Sequence, residues 1–227
     1  MRGMVVVGTD AESSSAAIAL STQHADVKAT VGLHPHDASQ FDDQWEELQR
    51  LAASEQVVAI GETGFDLHYR HSEPDAQEAA FRAQIQLAHR LERALVIHSR
   101  EAWEDTFRVL ADEGVPSRTV FHCFTGGPEE ARRALELGTS LSFSGIVSFP
   151  GAPEVRAAAS TCPPERTLVE TDSPYLTPAP HRGRENEPAY VRFVGEALAE
   201  ATGRPVSEVA EATAAAAEAV FGPIAAP

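Results

Sequence analysis

VVAIGETGFD, Val57 to Asp66, is the stretch from which the fold is read. Val57 to Ile60 reads as a buried strand closed by Gly61, and Glu62 stands where that strand runs out. Gly64 and Asp66 follow at once. A charge at the mouth of an apolar strand is costly unless a metal or a base pairs with it. Other strands end in the same manner. Leu95 to Ile97 runs into His98, Thr119 to Phe121 into His122, and Leu168 to Glu170 into Thr171 and Asp172.

Working outward, apolar runs near Met4 (to Gly8), Ala29 (to Leu33) and Leu141 (to Ser144) complete a set of seven expected strands. Helical spacing falls between them. It predicts helices over Glu12–Gln23, with Ala16, Ala17, Ile18 and Leu20 inward, and over Asp42–Ala53. Further helices are expected over Asp75–Leu91, with Phe81, Ile85, Ala88 and Leu91 on one stripe, and over Glu101–Glu113. Pro128 opens the next and Gly138 closes it, a short one covers Pro153–Ala159, and two close the chain at Ala189–Ala201 and Ser207–Val220. Ser207 is the expected N-cap of the last.

This alternation, without linkers or repeats, predicts one α/β domain over residues 1–227 with a parallel sheet covered by helices. An open doubly wound sheet would gather its polar residues at one switch point, after a glycine-rich phosphate loop. Polar residues spread over many strand ends suit a TIM (β/α)8-type barrel instead. Such a barrel needs eight strands and typically about 250 residues. With seven strands evident, one strand–helix unit is expected to be missing in front of Met1, leaving the strands at Met4 and Leu168 with unpaired edges.

Composition bounds the chemistry. The 227 residues are 43% hydrophobic and 23% charged, as in a globular chain, and the net charge is −16. That charge argues against binding nucleic acid through a broad basic face, but not against a nuclease whose cations supply positive charge locally. No run of eighteen apolar residues marks a membrane span, and the apolar start is too short for a signal peptide. Cys123 and Cys162 give no disulfide framework, so a reducing cytosol is expected.

Glu62, His98, His122 and Asp172 are the candidate metal ligands, two carboxylates and two imidazoles whose strand ends would converge in a closed barrel. Glu62 could bridge two ions, and two ions about 4 Å apart can clamp both oxygens of a phosphodiester displacement. Each residue also has an ordinary reading: a strand-end histidine bonded to backbone, or Asp172 as a turn residue before Ser173 and Pro174. Pro35 makes a shared strand face for His34 and His36 doubtful, so His34 is placed at the substrate edge and His36 in a loop. Arg100 and Arg182 are candidate phosphate forks, or else surface ion pairs. His24, His68, His71 and His89 read as surface residues, and Cys123 as packing rather than a nucleophile.

The blocks VVVGTD, VGLHPHD, AIGETGFD, VIHSREA, FHCFTG, SFSGIVSF, ETDSPYLTP and PHRGRENEP together resemble the TatD family of metal-dependent deoxyribonucleases, from Val5 to Phe221. The resemblance implies a TIM barrel of the amidohydrolase-like kind and hydrolysis of DNA phosphodiesters, often exonucleolytic. It implies two divalent ions, with Mg, Mn and Zn all open. By motif, Glu62 would bridge the ions, His98 and His122 would hold one, and Asp172 would bind the other and help activate water. His34, Arg100 and Arg182 would line the substrate side. DNA is then the expected partner, with no membrane and no obligate protein partner. Two departures stand out. The family's first strand, with its HxH ion ligands, has no counterpart here, and Ala216 replaces a usual asparagine. A start codon placed too late would account for the first. The alternatives are a genuine short form with one ion, a catalytically silent binding protein, or another ester substrate such as D-aminoacyl-tRNA.

Overall fold

In the computed structural model, which describes residues 3–224, these divide into two compact units, 3–120 with 220–224, and 121–219. Seven parallel strands, each beside its successor in the chain and followed by a helix, give the (β/α) barrel architecture expected, with seven strands among the described residues.

The first unit holds β1 (Met4–Val6), β2 (Val27–Val31), β3 (Val57–Asp66) and β4 (Ala94–Arg100). β1 pairs with β2 through Met4 and Val27, β2 with β3, and β3 with β4, all parallel. Among the described residues β1 has β2 as its one neighbour in the sheet order. The helices are α1 (Ala11–Gln23), α2 (Phe41–Ala52), α3 (Pro74–Leu91) and α4 (Trp103–Glu113).

β3 departs from expectation. It does not stop at Ile60 but runs ten residues to Asp66, carrying Glu62 inside it. Ile60 faces Leu95 on β4, yet the next paired residues are Thr63 and Ile97, so three residues of β3 span two of β4. Such a bulge re-aims a side chain next to a site. Gly61 and Gly64 make it possible. Both have positive φ, +127° and +134°, where a side chain is strained, and a Cβ would strike the carbonyl oxygens of Val96 and His98 respectively.

α1 also differs. Its buried face is Ser14, Ala17 and Ser21, whereas Ala16 and Leu20 point outward. Small polar residues face inward because the helix passes so close to Gly8 that a Cβ there would collide with Ser14. Asp10 caps the helix by accepting the Ser13 amide at 2.7 Å. α3 keeps its expected stripe, with Phe81, Ile85 and Ala88 almost fully buried, and adds two buried glutamines, Gln77 and Gln84. Gln84 accepts from the Leu33 amide and donates to the Leu33 carbonyl and Thr63 hydroxyl, tying the end of β2 to β3.

β5 (Thr119–Phe121) crosses the boundary between the units. The second unit continues with β6 (Ser140–Phe143) and β7 (Thr167–Val169), which pair in parallel through Leu141 and Thr167. Among the described residues β7 has β6 as its one neighbour in the sheet order. Phe121, Phe124, Phe143, Leu168, Val194 and Leu198 are buried there. The helices are α5 (Pro128–Glu136), α6 (Pro153–Thr161), α7 (Val191–Thr202) and α8 (Val206–Phe221). Ser207 is not the N-cap of α8, since the helix already begins at Val206, after Pro205. Ala216 is buried in α8.

Among the described residues no helix is long and apolar enough to cross a membrane. Cys123 and Cys162 are free thiols.

Candidate metal centre

In the first unit the end of β2, the bulged part of β3 and the end of β4 bring donors together. His34, Glu62 and His98 offer ligand atoms within 4.8 Å of one another. Glu62 is 7% exposed, and its Oε1 lies 2.9 Å from His98 Nδ1 and 3.4 Å from His34 Nε2. Two donors each about 2.1 Å from one ion, at right to tetrahedral angles, stand about 3.0–3.4 Å apart, so the spacing suits a shared cation.

The hydrogen bonds separate the two histidines. His34 caps the 3-10 turn Pro35–Gln40, and its Nδ1 accepts the His36 amide at 3.1 Å. In a neutral ring the proton then sits on Nε2, which points at Glu62 as a donor, not as a ligand. His98 differs. Its Nε2 lies 3.2 Å from Asp66 Oδ2 and its Nδ1 2.9 Å from Glu62 Oε1, so each nitrogen faces a carboxylate, and whichever one is bare in the neutral ring has a lone pair for an ion. Glu62 and His98 thus offer an oxygen and a nitrogen 2.9 Å apart, with His34 Nε2 beside them as a hydrogen-bond donor.

Asp66, quoted in the opening stretch but given no role there, is 1% exposed and central to the site. Besides His98 it takes His36 Nε2 at 2.9 Å on the same Oδ2, and the His68 and Tyr69 amides on Oδ1 at 3.0 and 2.9 Å. Burial alone would raise its pKa, but the bonds from His98, the Tyr69 amide and His36 outweigh that and hold the carboxyl well below its usual range. Burial in turn lowers the pKa of His36, against the pull of Asp66, so His36 is a neutral donor at pH 7. His36 is thus no idle loop residue; its ring packs edge-on against His34 and His71, with centroids 4.3 and 4.6 Å apart.

The second unit has its own cluster. His122 directly follows β5, and Glu170 and Asp172 follow β7; their ligand atoms also lie within 4.8 Å of one another. Glu170 Oε1 is 2.8 Å from His122 Nδ1 as an ion-pair contact, and this buried oxygen has no hydrogen-bond partner among the described residues. A buried carboxylate oxygen in that state, beside an imidazole and a second carboxylate, fits a cation. Asp172 takes the left-handed conformation, φ 57°. Glu170 was not among the expected ligands; its position two residues before Asp172, in ETD, was the available signal.

The expected phosphate forks rest on aromatic faces. Arg100 lies 4.6 Å over the exposed ring of Tyr69, and Arg182 lies 3.7 Å over Phe149 while donating to Thr177 O. His68 pairs with Glu101 at 2.8 Å, and His89 bonds the Gly114 carbonyl. Cys123 contacts the Ser144 hydroxyl at 3.2 Å, and burial, with nearby Glu170, pushes its thiol pKa up, which agrees with packing rather than nucleophilic attack.

The family described as TatD related DNase matches residues 1–222. The metal-dependent hydrolase YabD of Bacillus subtilis, itself termed uncharacterized, is 39% identical, covering 92% of this chain and 83% of its own. The 3'-5' ssDNA/RNA exonuclease TatD of Erwinia amylovora is 38% identical over 97% of this chain and 88% of its own. Among solved structures, YJJV, a TatD homolog from Escherichia coli K12, superposes with a TM-score of 0.90 at 27% identity, over 98% of this chain and 87% of that one.

Proposed function

The chain belongs to the TatD family of metal-dependent hydrolases, and on that premise we propose that it hydrolyses phosphodiester bonds of DNA from a chain end. The name of the Erwinia relative supports single-stranded DNA as the first substrate to try. The observation that carries the reading is the buried Glu170 oxygen, without a hydrogen-bond donor among the described residues, beside His122 and Asp172.

We assign the cation donors as Glu62 and His98 from the first unit and His122, Glu170 and Asp172 from the second. Bound divalent ions would supply an activated water and offset charge on the phosphoryl oxygens. Glu62 and Asp172 are the proposed catalytic carboxylates, Asp172 accepting the proton of the attacking water. His34, with its proton on Nε2, donates toward the same edge and suits a phosphoryl oxygen. Arg100 and Arg182 are the proposed substrate cations; each must leave its aromatic rest, or reach past it, to meet a phosphate.

The test uses metal-stripped full-length chain, end-labelled single- and double-stranded DNA, and Mg2+, Mn2+ or Zn2+ added in turn. We expect metal-stimulated shortening from one end, reduced at least about 100-fold by Asp172→Ala, more than outer-partner losses usually give. Tight metal binding without cleavage of DNA, but with hydrolysis of an aminoacyl ester, would move the assignment to another ester within the family's chemistry. Cleavage untouched by Asp172→Ala would overturn the assigned site.

A further inference from the structure

Asp66 is not among the donors assigned above, yet two ring nitrogens and two backbone amides converge on its carboxylate. It is buried at the end of β3, its amide donates to Gln77 Oε1 at 2.9 Å, and its carbonyl accepts from Gln77 Nε2. Gln77 also donates to Ser72 O, so α3 fixes the backbone of this residue on both sides. The carboxylate then works in two directions. Oδ1 accepts the His68 and Tyr69 amides, and Oδ2 accepts from His36 and His98.

The His98 ring has a carboxylate on each nitrogen, Glu62 at 2.9 Å on Nδ1 and Asp66 at 3.2 Å on Nε2. For an imidazole to bind a cation, one nitrogen must give up its proton while the other keeps it, and the partner of that other nitrogen sets the choice. Asp66 is held by α3 and by the loop amides, while the 2.9 Å between Glu62 Oε1 and His98 Nδ1 suits two donors on one ion. We propose that Asp66 is a positioning residue for the ion site of the first unit, holding the proton on His98 Nε2 so that Nδ1 is the nitrogen presented toward Glu62. Through Oδ1 the same group fixes the loop that carries Tyr69, the ring under Arg100, and so sets the ion ligand and the substrate-side loop from one point. This rests on the reading of His98 as an ion ligand.

The experiment compares the metal-stripped full-length chain with Asp66→Asn. Asparagine keeps an oxygen for the loop amides but turns an N–H toward His98, which favours the opposite tautomer. In competition with a chromophoric chelator, Zn2+ affinity should fall at least about 10-fold while the thermal unfolding midpoint moves little. Unchanged affinity in a folded variant overturns the proposal. Should the variant not fold, two-bond 1H–15N spectra of the Zn2+-loaded unmodified chain decide, with His98 identified by its loss in His98→Gln. A proton on Nε2 supports the role and a proton on Nδ1 overturns it. Failure of the unmodified chain to bind Zn2+, Mn2+ or Mg2+ would instead bring down the ion site itself, and this role with it.

Discussion

Gly64 shows how tightly single residues are set around the centre. Its φ of +134° and the collision of any Cβ with the His98 carbonyl oxygen leave room for glycine alone. Gly64→Ala should therefore destabilise the fold by at least about 2 kcal/mol and displace His98; urea unfolding measures the first and Zn2+ affinity the second. At this scale Glu62, His98, His122 and Asp172 stood out in the sequence as polar residues after apolar runs, although Glu62 and His98 lie inside their strands. Asp66 and His36 did not. What distinguishes them is mutual contact across about thirty residues of chain, together with neighbours on α3, and none of that has a local sequence pattern. His34, expected at the substrate edge, lies with Glu62 and His98, and the backbone amide on its Nδ1 belongs to the folded turn.

Among elements, the strand and helix order came through and the edges did not. β3 was cut short because a glycine usually ends a strand, whereas here Gly61 belongs to a bulge that the strand passes through. The inward face of α1 was missed because apolar counting favours alanine and leucine, while close approach to Gly8 selects serine. Outside the centre, α3 and α4 are joined by a charged cluster. Glu78 accepts from Arg108 at 2.6 Å and Arg82 at 2.8 Å, and Arg82 also reaches Asp112 and Glu113. The bond from Arg108, then that from Arg82, overcome the opposing effect of burial and hold the Glu78 carboxyl down to about 2, against an ordinary value of 4.5. A folded pKa below the unfolded one means stability that is full above about 4.5 and lost as pH falls toward about 2. Glu78→Gln should thus cost about 1 kcal/mol at pH 7, after allowing for solvent screening of this half-exposed cluster, and nothing near pH 2. Denaturant titrations at the two pH values check it; an equal loss at both would show the cluster to act through packing.

For the molecule as a whole, a net charge of −16 leaves little general attraction for a polyanion. DNA binding by metal-stripped chain should be undetectable at physiological salt and should emerge with divalent cation, measured by fluorescence anisotropy on a duplex with a single-stranded end. Clustered carboxylates also repel one another until a cation joins them. Cation at a hundred-fold excess over its Kd should stabilise the fold by about 2.7 kcal/mol, visible as a raised midpoint in calorimetry that chelator reverses. No shift with any of the three cations would remove the metal-centre reading. The barrel class itself was readable from the strand–helix alternation and the scatter of polar strand ends, and the superposition on a TatD homolog agrees with it.

The extra residue in β3 has one more implication. The bulge takes up one residue between Ile60 and Thr63 while Thr63 to Asp66 keep their places opposite Ile97 to Arg100. Deleting Gly61 would leave that pairing in place but flatten the bulge and re-aim Glu62 away from His98, though every functional side chain would still be encoded. The spacing of this segment, counted in single codons, is therefore as much a component of the centre as the acids and imidazoles it carries.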